Sequence, residues 1–437
     1  MNAERGIGDK IAPVSLADRI AAADRRVDAA LAHAATKTAV HCPPVTQRDP
    51  ELVQIHAEAG RFYQACLQGS WVPEYLAGRG LDAALLPTSP WKIGYAPASW
   101  TVLTEYLRHL GHCDAALLCS GLVVNGKTGQ LRDHFHDRLM IPLRAADGYV
   151  IAFIGRRRPG VGDDDGPKYL SSPNTPLFTK GHLLAGLAEA RRLFASGAQP
   201  VLVEGPLDAI AVSIAGNGVF VGVTPCGTAL TAEQVSALAR SVDLRERGIR
   251  VALDADSAGR KAAVRAYQHL APLGNPVAVT LPDGTDPADL LRTSGRDAVR
   301  DALQRSARPL ADLAVDAAIG EWAHGRELVF TELQIGALRA AATVIAAMPE
   351  EHIGPQAARL CALYAERYGW KPEEVTAEVI AGIERRYEPD LRILPSPWAV
   401  ITRATAPPRQ RPASVNEAGM PARHYLRLIP SLQADRA

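Results

Sequence analysis

The sequence predicts an α+β and α/β multidomain protein: an N-terminal mixed, basic subdomain, a small parallel-sheet α/β subdomain, and a C-terminal helical bundle. Three observations carry this. Between Pro200 and about Gly295, short β-branched runs alternate with amphipathic stretches, the pattern of parallel strands crossed by helices. Residues 51–195 mix helical periodicity with strand-like runs, and Pro309 to Arg386 is helical in period throughout.

In order along the chain, residues 1–50 read as an appendage. Ser15 to Ala35 hold an Ala-rich amphipathic pattern, and Thr36 to Pro50 is a polar linker with a Pro43-Pro44 step. Residues 51–195 carry helical periodicity around Ala57–Leu67 and Trp100–Leu110, then strands at Leu139–Leu143 and Tyr149–Ile154. Residues 196–307 supply four strands, at Val201–Val203, Val219–Val223, Ile249–Leu253 and Val277–Leu281. Helices over Leu207–Ala215, Thr231–Arg240 and Ala258–Leu270 connect them. Residues 308–386 show helix starts at Pro309, Thr331 and Lys371-Pro-Glu-Glu, consistent with a small bundle. From 387 to 437 prolines recur and periodicity fades, which predicts an extended or disordered tail.

A chain of 437 residues, 47% hydrophobic and 22% charged, is long enough for two or three domains with cores of their own. A net charge of +1 argues against coating nucleic acid by bulk attraction and leaves room for a local basic patch. No run approaches about eighteen apolar residues, so no membrane span is expected. Six scattered cysteines without a CxxC pair, and no leader-like stretch, predict a reduced, cytoplasmic protein. His109, His112, Cys113 and Cys119 lie near one another, but their spacing departs from paired zinc ligands, so no zinc is predicted.

Three acidic segments carry the chemistry: Glu204-Gly-Pro-Leu-Asp208, Asp254-Ala-Asp256, and Asp283-Gly-Thr-Asp286-Pro-Ala-Asp289. Each follows a hydrophobic run, so its carboxylates stand at the carboxyl end of a strand, where open parallel sheets bind ligands. Carboxylates gathered there repel one another, and a hard divalent cation relieves the repulsion. Asp254 and Asp256, at period two, project from one side of an extended segment and can grip one cation or two adjacent ones. The following helix start offers free N–H groups, with Arg260 and Lys261 just behind, which suits a polyphosphate. Taken singly, each segment also reads as a capped helix start. Their co-occurrence on one sheet edge favours the metal site.

Between Arg138 and Arg192 nine Lys or Arg face five acids, a net of +4 just ahead of the acidic turns. A basic strip feeding a carboxylate centre suits phosphodiester backbone or nucleoside triphosphate. The plainer alternative is a solvated face, with Asp163 to Asp165 offsetting Arg156 to Arg158.

Glu204-Gly-Pro-Leu-Asp208 with Asp254-Ala-Asp256-Ser-Ala-Gly-Arg260 resembles the Toprim domain of bacterial DnaG-type primases, topoisomerases and some nucleases. The flanking segments narrow the choice. Tyr75-Leu-Ala-Gly-Arg79-Gly80, Ile93-Gly94-Tyr95-Ala-Pro97, Asp137-Arg138-Leu-Met-Ile-Pro142, Pro167-Lys168-Tyr169-Leu-Ser-Ser-Pro173, Pro176-Leu-Phe178-Thr-Lys180-Gly181 and Leu281-Pro-Asp-Gly-Thr-Asp286 are similar, in this order, to the DnaG catalytic core. The helices after Pro309 resemble that family's third, helical subdomain.

The resemblance implies a primer-synthesising RNA polymerase that uses nucleoside triphosphates on a single-stranded DNA template, with Mg²⁺ or Mn²⁺. It makes Glu204, Asp254 and Asp256 catalytic, and adds Asp208, Asp286 and Asp289 to the metal-holding acids. Arg138, Arg156, Arg157, Lys168, Lys180, Arg260 and Lys261 would bind template and nucleotides. The family's N-terminal zinc ribbon finds no counterpart, since only Cys42 precedes Pro50, and 387–437 does not resemble its helicase-binding domain. These departures imply a trimmed primase of a plasmid, phage or integrated element. A replicative helicase or a separate zinc-ribbon protein would then be its partner. A Toprim metal-dependent nuclease and a non-catalytic single-stranded-DNA-binding accessory protein remain the alternatives.

Overall fold

The computed structural model describes residues 48–126, 129–162, 166–227, 229–253, 257–282, 284–305 and 307–387. The expected helix over Ser15–Ala35 and the tail beyond 387 lie outside the described residues. The chain divides into two compact units, one spanning 47–344 and the other, among the described residues, 345–387.

The first unit begins with helix Pro50–Ala65, whose N-cap Asp49 accepts a hydrogen bond from the Glu51 N–H, with proline in the first turn. Strands β1 (Gly94–Ala96), β2 (Val123–Asn125), β3 (Leu131–Asp133), β4 (Arg138–Arg144), β5 (Val150–Arg157) and β6 (Tyr169–Ser171) follow. β1, β4, β5 and β6 form an antiparallel sheet in that order, and β2 and β3 form a separate antiparallel pair. Alternation along β4 sends Met140 to one face and Leu139, Ile141 and Leu143 to the other. Met140 joins Phe153 against Leu52, Ile55, Ala59 and Tyr63 of the first helix. The opposite face shares a core with Val201, Val203, Leu207 and Ile210. A single core therefore runs across residue 195, where the sequence suggests a separate unit.

Strands β7 (Gln199–Leu202), β8 (Phe220–Val223), β9 (Arg250–Val251), β10 (Val277–Val279) and β11 (Ala307–Pro309) make the second sheet, in the order β11-β10-β9-β7-β8. The first four of these are mutually parallel, as the alternation predicts. β11 is an addition to the four expected strands and pairs antiparallel with β10. Helices Pro206–Gly216, Ala232–Ser241 and Ser257–Leu270 fall where periodicity places them. Thr231 and Gln234 close a reciprocal capping box at the second of these. Helix Pro287–Arg305, kinked at Gly295, precedes β11, and Leu310–Ala323 and Thr331–Ala346 follow it.

Helix Leu187–Ala195 leads into β7. Glu189 is buried in its first turn, accepting a hydrogen bond from the Gly186 N–H (3.2 Å), with Arg144 Nε 3.7 Å away. Burial raises its carboxyl from an ordinary 4.5 to about 7. The folded carboxyl holds its proton more tightly than the unfolded one. Its contribution to stability is therefore complete below about pH 4.5 and lost as pH rises through about 7, about 3 kcal/mol in all. Glu189→Gln is neutral throughout and should gain stability relative to the unsubstituted chain across that window. The check is the difference between their urea midpoints at about pH 5 and about pH 8.

In the second unit, helices Glu350–Tyr368 and Pro372–Tyr387 pack on each other. Gly369, at φ 71°, ends the first of them. Tyr364 is fully buried, with the Trp370 ring 5.8 Å away, edge to face. Among the described residues no helix is long and apolar enough to cross a membrane.

Candidate active site at the strand-order reversal

From β7 the chain forms β8 on one side and then β9 on the other. Such a reversal opens a crevice beyond the carboxyl ends of the central strands, because the connecting helices leave on opposite faces. Glu204 stands at that point. Val203 N–H still donates to the Val223 carbonyl (3.0 Å) and Ala252 N–H to the Leu202 carbonyl (2.8 Å), so the three strands stay paired up to the turn. The Thr224 hydroxyl donates to the Glu204 carbonyl (2.7 Å) and fixes its backbone. Beside Glu204 lies a cavity of about 280 Å³, which Leu230, Leu253 and Arg265 also line.

Asp208 sits in the first turn of helix Pro206–Gly216 and is 9% exposed. A Cβ on Gly205 would lie 2.6 Å from Asp208 Oδ2, so the turn admits only glycine with the carboxylate folded over it. Asp208 Oδ1 accepts a hydrogen bond from the Ala288 N–H (3.3 Å), which brings the first and third acidic segments together. Asp286 Oδ1 accepts from the Asp289 N–H (2.6 Å), the geometry of a helix cap. Asp289 instead faces cations: Arg79 Nη2 at 3.2 Å and Arg292 Nε at 3.3 Å from its Oδ1. Its carboxylate is thus balanced by two guanidinium groups, a partnership the metal-ligand expectation did not foresee. Asp254 and Asp256, and the side chain of Arg260, lie outside the described residues.

The basic residues divide by burial. Lys168, Lys180 and Lys261 are exposed. Arg138 is 3% exposed and donates to the carbonyls of Gly155 (3.2 Å) and Pro167 (2.9 Å). β4 and β5 are covered on both faces, and this guanidinium, which the resemblance implies for template and nucleotides, braces them. Arg157 donates to the carbonyls of Gly162 and Gly166, holding the loop before β6. Arg156 lies 5.4 Å from the Tyr75 ring and 5.2 Å from the Tyr169 ring, and donates to the Tyr169 hydroxyl (3.0 Å). Burial opposes its charge, yet the two tyrosines raise its pKa above the ordinary value. Burial also raises the Tyr169 phenol, with Arg156 opposing and Asp208 adding to the rise, so it stays protonated.

Sequence reasoning missed the polar cluster beside this stack. Trp71 Nε1–H (2.8 Å) and the Tyr95 hydroxyl (2.7 Å) both donate to Asp137 Oδ1. The signal available was weak: three residues from separate motifs, with no common spacing.

Glu204 and Asp208 offer hard oxygen donors at the strand-order reversal, and that chemistry fits a divalent cation. Among the described residues no group of three or more His, Cys, Asp or Glu is gathered closely enough to hold one.

Two family models match in chain order: DNA primase catalytic core, N-terminal domain, over residues 62–191, and Toprim-like over residues 201–291. A DNA primase of Mycolicibacterium smegmatis is 33% identical over 385 residues, covering 86% of this chain and 58% of the relative. The chain thus spans less than two thirds of that primase. The crystal structure of the RNA polymerase domain of Mycobacterium tuberculosis primase DnaG superposes with a TM-score of 0.60 at 32% identity, over 73% of this chain and 98% of that domain. A DnaG primase catalytic domain solved bound to ssDNA matches with a TM-score of 0.57 at 27% identity, over 76% of this chain and 96% of that one. With both halves of the core matched in order, and nearly all of a solved polymerase domain covered, this chain belongs to the family of DnaG-type DNA primase catalytic cores.

Proposed function

We propose that the chain synthesises short RNA primers on single-stranded DNA, joining nucleoside triphosphates in template order. One observation carries the reading: β6 runs beside the acidic turn. The Tyr169 hydroxyl lies 4.0 Å from the Cβ position of Gly205, and the exposed Lys168 precedes it. Arg156 and Lys168, 5.2 Å and 6.0 Å from the Tyr169 ring, thus put positive charge on the strand beside the acidic turn. The DnaG catalytic domain solved with ssDNA supports a single-stranded template here too.

In this reading Glu204, with Asp254 and Asp256, is catalytic, and Asp208 and Asp286 complete the acidic centre. Bound Mg²⁺ or Mn²⁺ would activate the primer 3′-hydroxyl and shield the triphosphate. Lys168, Lys180, Arg260 and Lys261 neutralise approaching phosphates, while Arg156 and Arg157 hold the strands that present them. Asp289, set between Arg79 and Arg292, orients the helix that docks on Asp208. Residues 51–195, 196–307 and 308–386 act as the basic, Toprim and helical parts of the core. A replicative helicase or a separate zinc-ribbon protein supplies helicase contact and start-site selection.

The test uses single-stranded template, labelled ribonucleotides and Mg²⁺ or Mn²⁺, with and without a supplied primer. Template-dependent product is expected. Its absence in both arms defeats the reading, and DNA degradation that disappears in Asp254→Asn points to a Toprim nuclease instead.

A further inference from the structure

The segment just ahead of helix Leu187–Ala195 straps the carboxyl end of β8. Ala185 N–H donates to the Thr224 carbonyl (2.9 Å), and Thr224 N–H donates back to the Ala185 carbonyl (3.0 Å). Gly186 allows so close an approach. Its φ is 95°, and a Cβ there would lie 2.3 Å from the Gly222 carbonyl oxygen, so a side chain has no room between strap and strand. The far end of the strap is pinned too: the Thr231 hydroxyl donates to the Gly181 carbonyl (2.5 Å) and Gln234 Nε2 to the Leu183 carbonyl (2.7 Å).

Glu189 closes the strap on its helix side. Its side chain is 5% exposed, with Arg144 facing it at 3.7 Å, and its carboxyl accepts from the Gly186 N–H at 3.2 Å. Removing a buried acceptor is costly, because the N–H it served is left without a partner. Across the bridge, the Thr224 hydroxyl reaches the acidic site. It donates to the Glu204 carbonyl (2.7 Å) and accepts from the Cys226 N–H (3.1 Å). Cys226 holds a left-handed φ of 56°, which a residue other than glycine keeps only where its surroundings fix it. Burial first, and Glu189 next, push the Cys226 thiol up to about 12, so the Glu189 carboxyl stands within electrostatic reach of that turn as well. A continuous path of hydrogen bonds and backbone thus joins a helix cap to the main chain of the acid.

We propose that Glu189 is a positioning residue for Glu204, acting through the Gly186 N–H, the Ala185–Thr224 bridge and the Thr224 hydroxyl. The proposal rests on the reading of Glu204 as catalytic and adds what holds that acid in place. A displacement of about 1 Å can cost about a hundredfold in rate, so loosening the strap acts on kcat more than on substrate binding.

The experiment cuts the path at its two ends in the full chain. Glu189→Ala removes the acceptor and Thr224→Val removes the hydroxyl. Each should lower kcat for template-dependent incorporation about tenfold, while KM for nucleotide and affinity for single strand stay within about twofold. Glu189→Gln and Thr224→Ser keep the acceptor and the hydroxyl, and should keep most of the rate. The double variant should lose no more than the slower single one, since both cut one path. Amide hydrogen exchange reads the strap without any activity: in Glu189→Ala the Ala185 and Thr224 N–H groups should exchange about tenfold faster, while helix Pro50–Ala65 keeps its protection. Four results overturn the relay: unchanged kcat in either cut, Glu189→Gln as slow as Glu189→Ala, losses that add in the double variant, or unchanged exchange at Ala185 and Thr224. Should Glu189→Ala melt as a whole, Glu189→Asp, shorter by one methylene, takes its place under the same four criteria. Unchanged kcat in the variants leaves the primase reading intact. A chain without incorporation defeats that reading, and exchange at Ala185 and Thr224 still decides whether Glu189 holds the strap.

Discussion

Glu204→Gln should lower template-dependent incorporation by at least about a hundredfold, the scale on which removing one preorganised electrostatic group acts. The substitution keeps the side chain's size and removes its charge. Its backbone carbonyl is held by the Thr224 hydroxyl, and Val203 and Ala252 pair through their own N–H groups, so the turn has reason to persist. Binding of a labelled single strand should change less than about twofold, since phosphate contacts set that affinity. A variant retaining more than about a tenth of the activity would remove Glu204 from catalysis. Asp289→Asn is the internal contrast. Its carboxylate already faces Arg79 and Arg292, so the loss should be smaller than that of Glu204→Gln.

Gly222→Ala should have the largest effect on stability. Gly222 lies in β8 against helix Pro206–Gly216, and an added Cβ would fall 2.3 Å from the Ala209 carbonyl oxygen and 2.4 Å from its Cα. Those atoms are backbone and cannot rotate away. Ser213 tightens the same contact, donating to the Ala209 carbonyl (2.7 Å) and accepting from the Gly222 N–H (3.1 Å). The helix must lift from the sheet, at about 3 kcal/mol or more, which corresponds to a fall in melting temperature of roughly 6 °C or more. Because that helix carries Asp208, activity should fall as well. Gly320→Ala is the control: it lies within helix Leu310–Ala323 with no atom within 4 Å of the added Cβ. It should be neutral or stabilising by about 0.5 kcal/mol. Equal melting of Gly222→Ala and the unsubstituted chain would refute the contact.

Local pattern was legible where a residue's partners are its chain neighbours. Helix Ala232–Ser241 begins where Thr231 and Gln234 form a capping box, and Pro309 and Thr331 mark the helix starts the structure contains. The strands of the parallel sheet follow from β-branched runs, and Glu204 and Asp208 flank the turn that Gly205-Pro206 announces. β11 escaped because three residues on a sheet edge carry too little periodicity.

By itself, then, the sequence determined the alternation of elements, the position of each acid relative to its strand, and the resemblance that family comparison bears out. Tertiary structure alone decided the order β11-β10-β9-β7-β8, and with it the reversal that puts Glu204 in a crevice. It also decided that Arg138 is a buried brace, that Asp289 meets Arg79 from 210 residues away, and that Arg132 and His136 lie against the Trp100 ring. The physical reason is range. Capping and periodicity act within one or two turns of chain, whereas strand order, burial and ion pairing are set by which distant segments the core brings together.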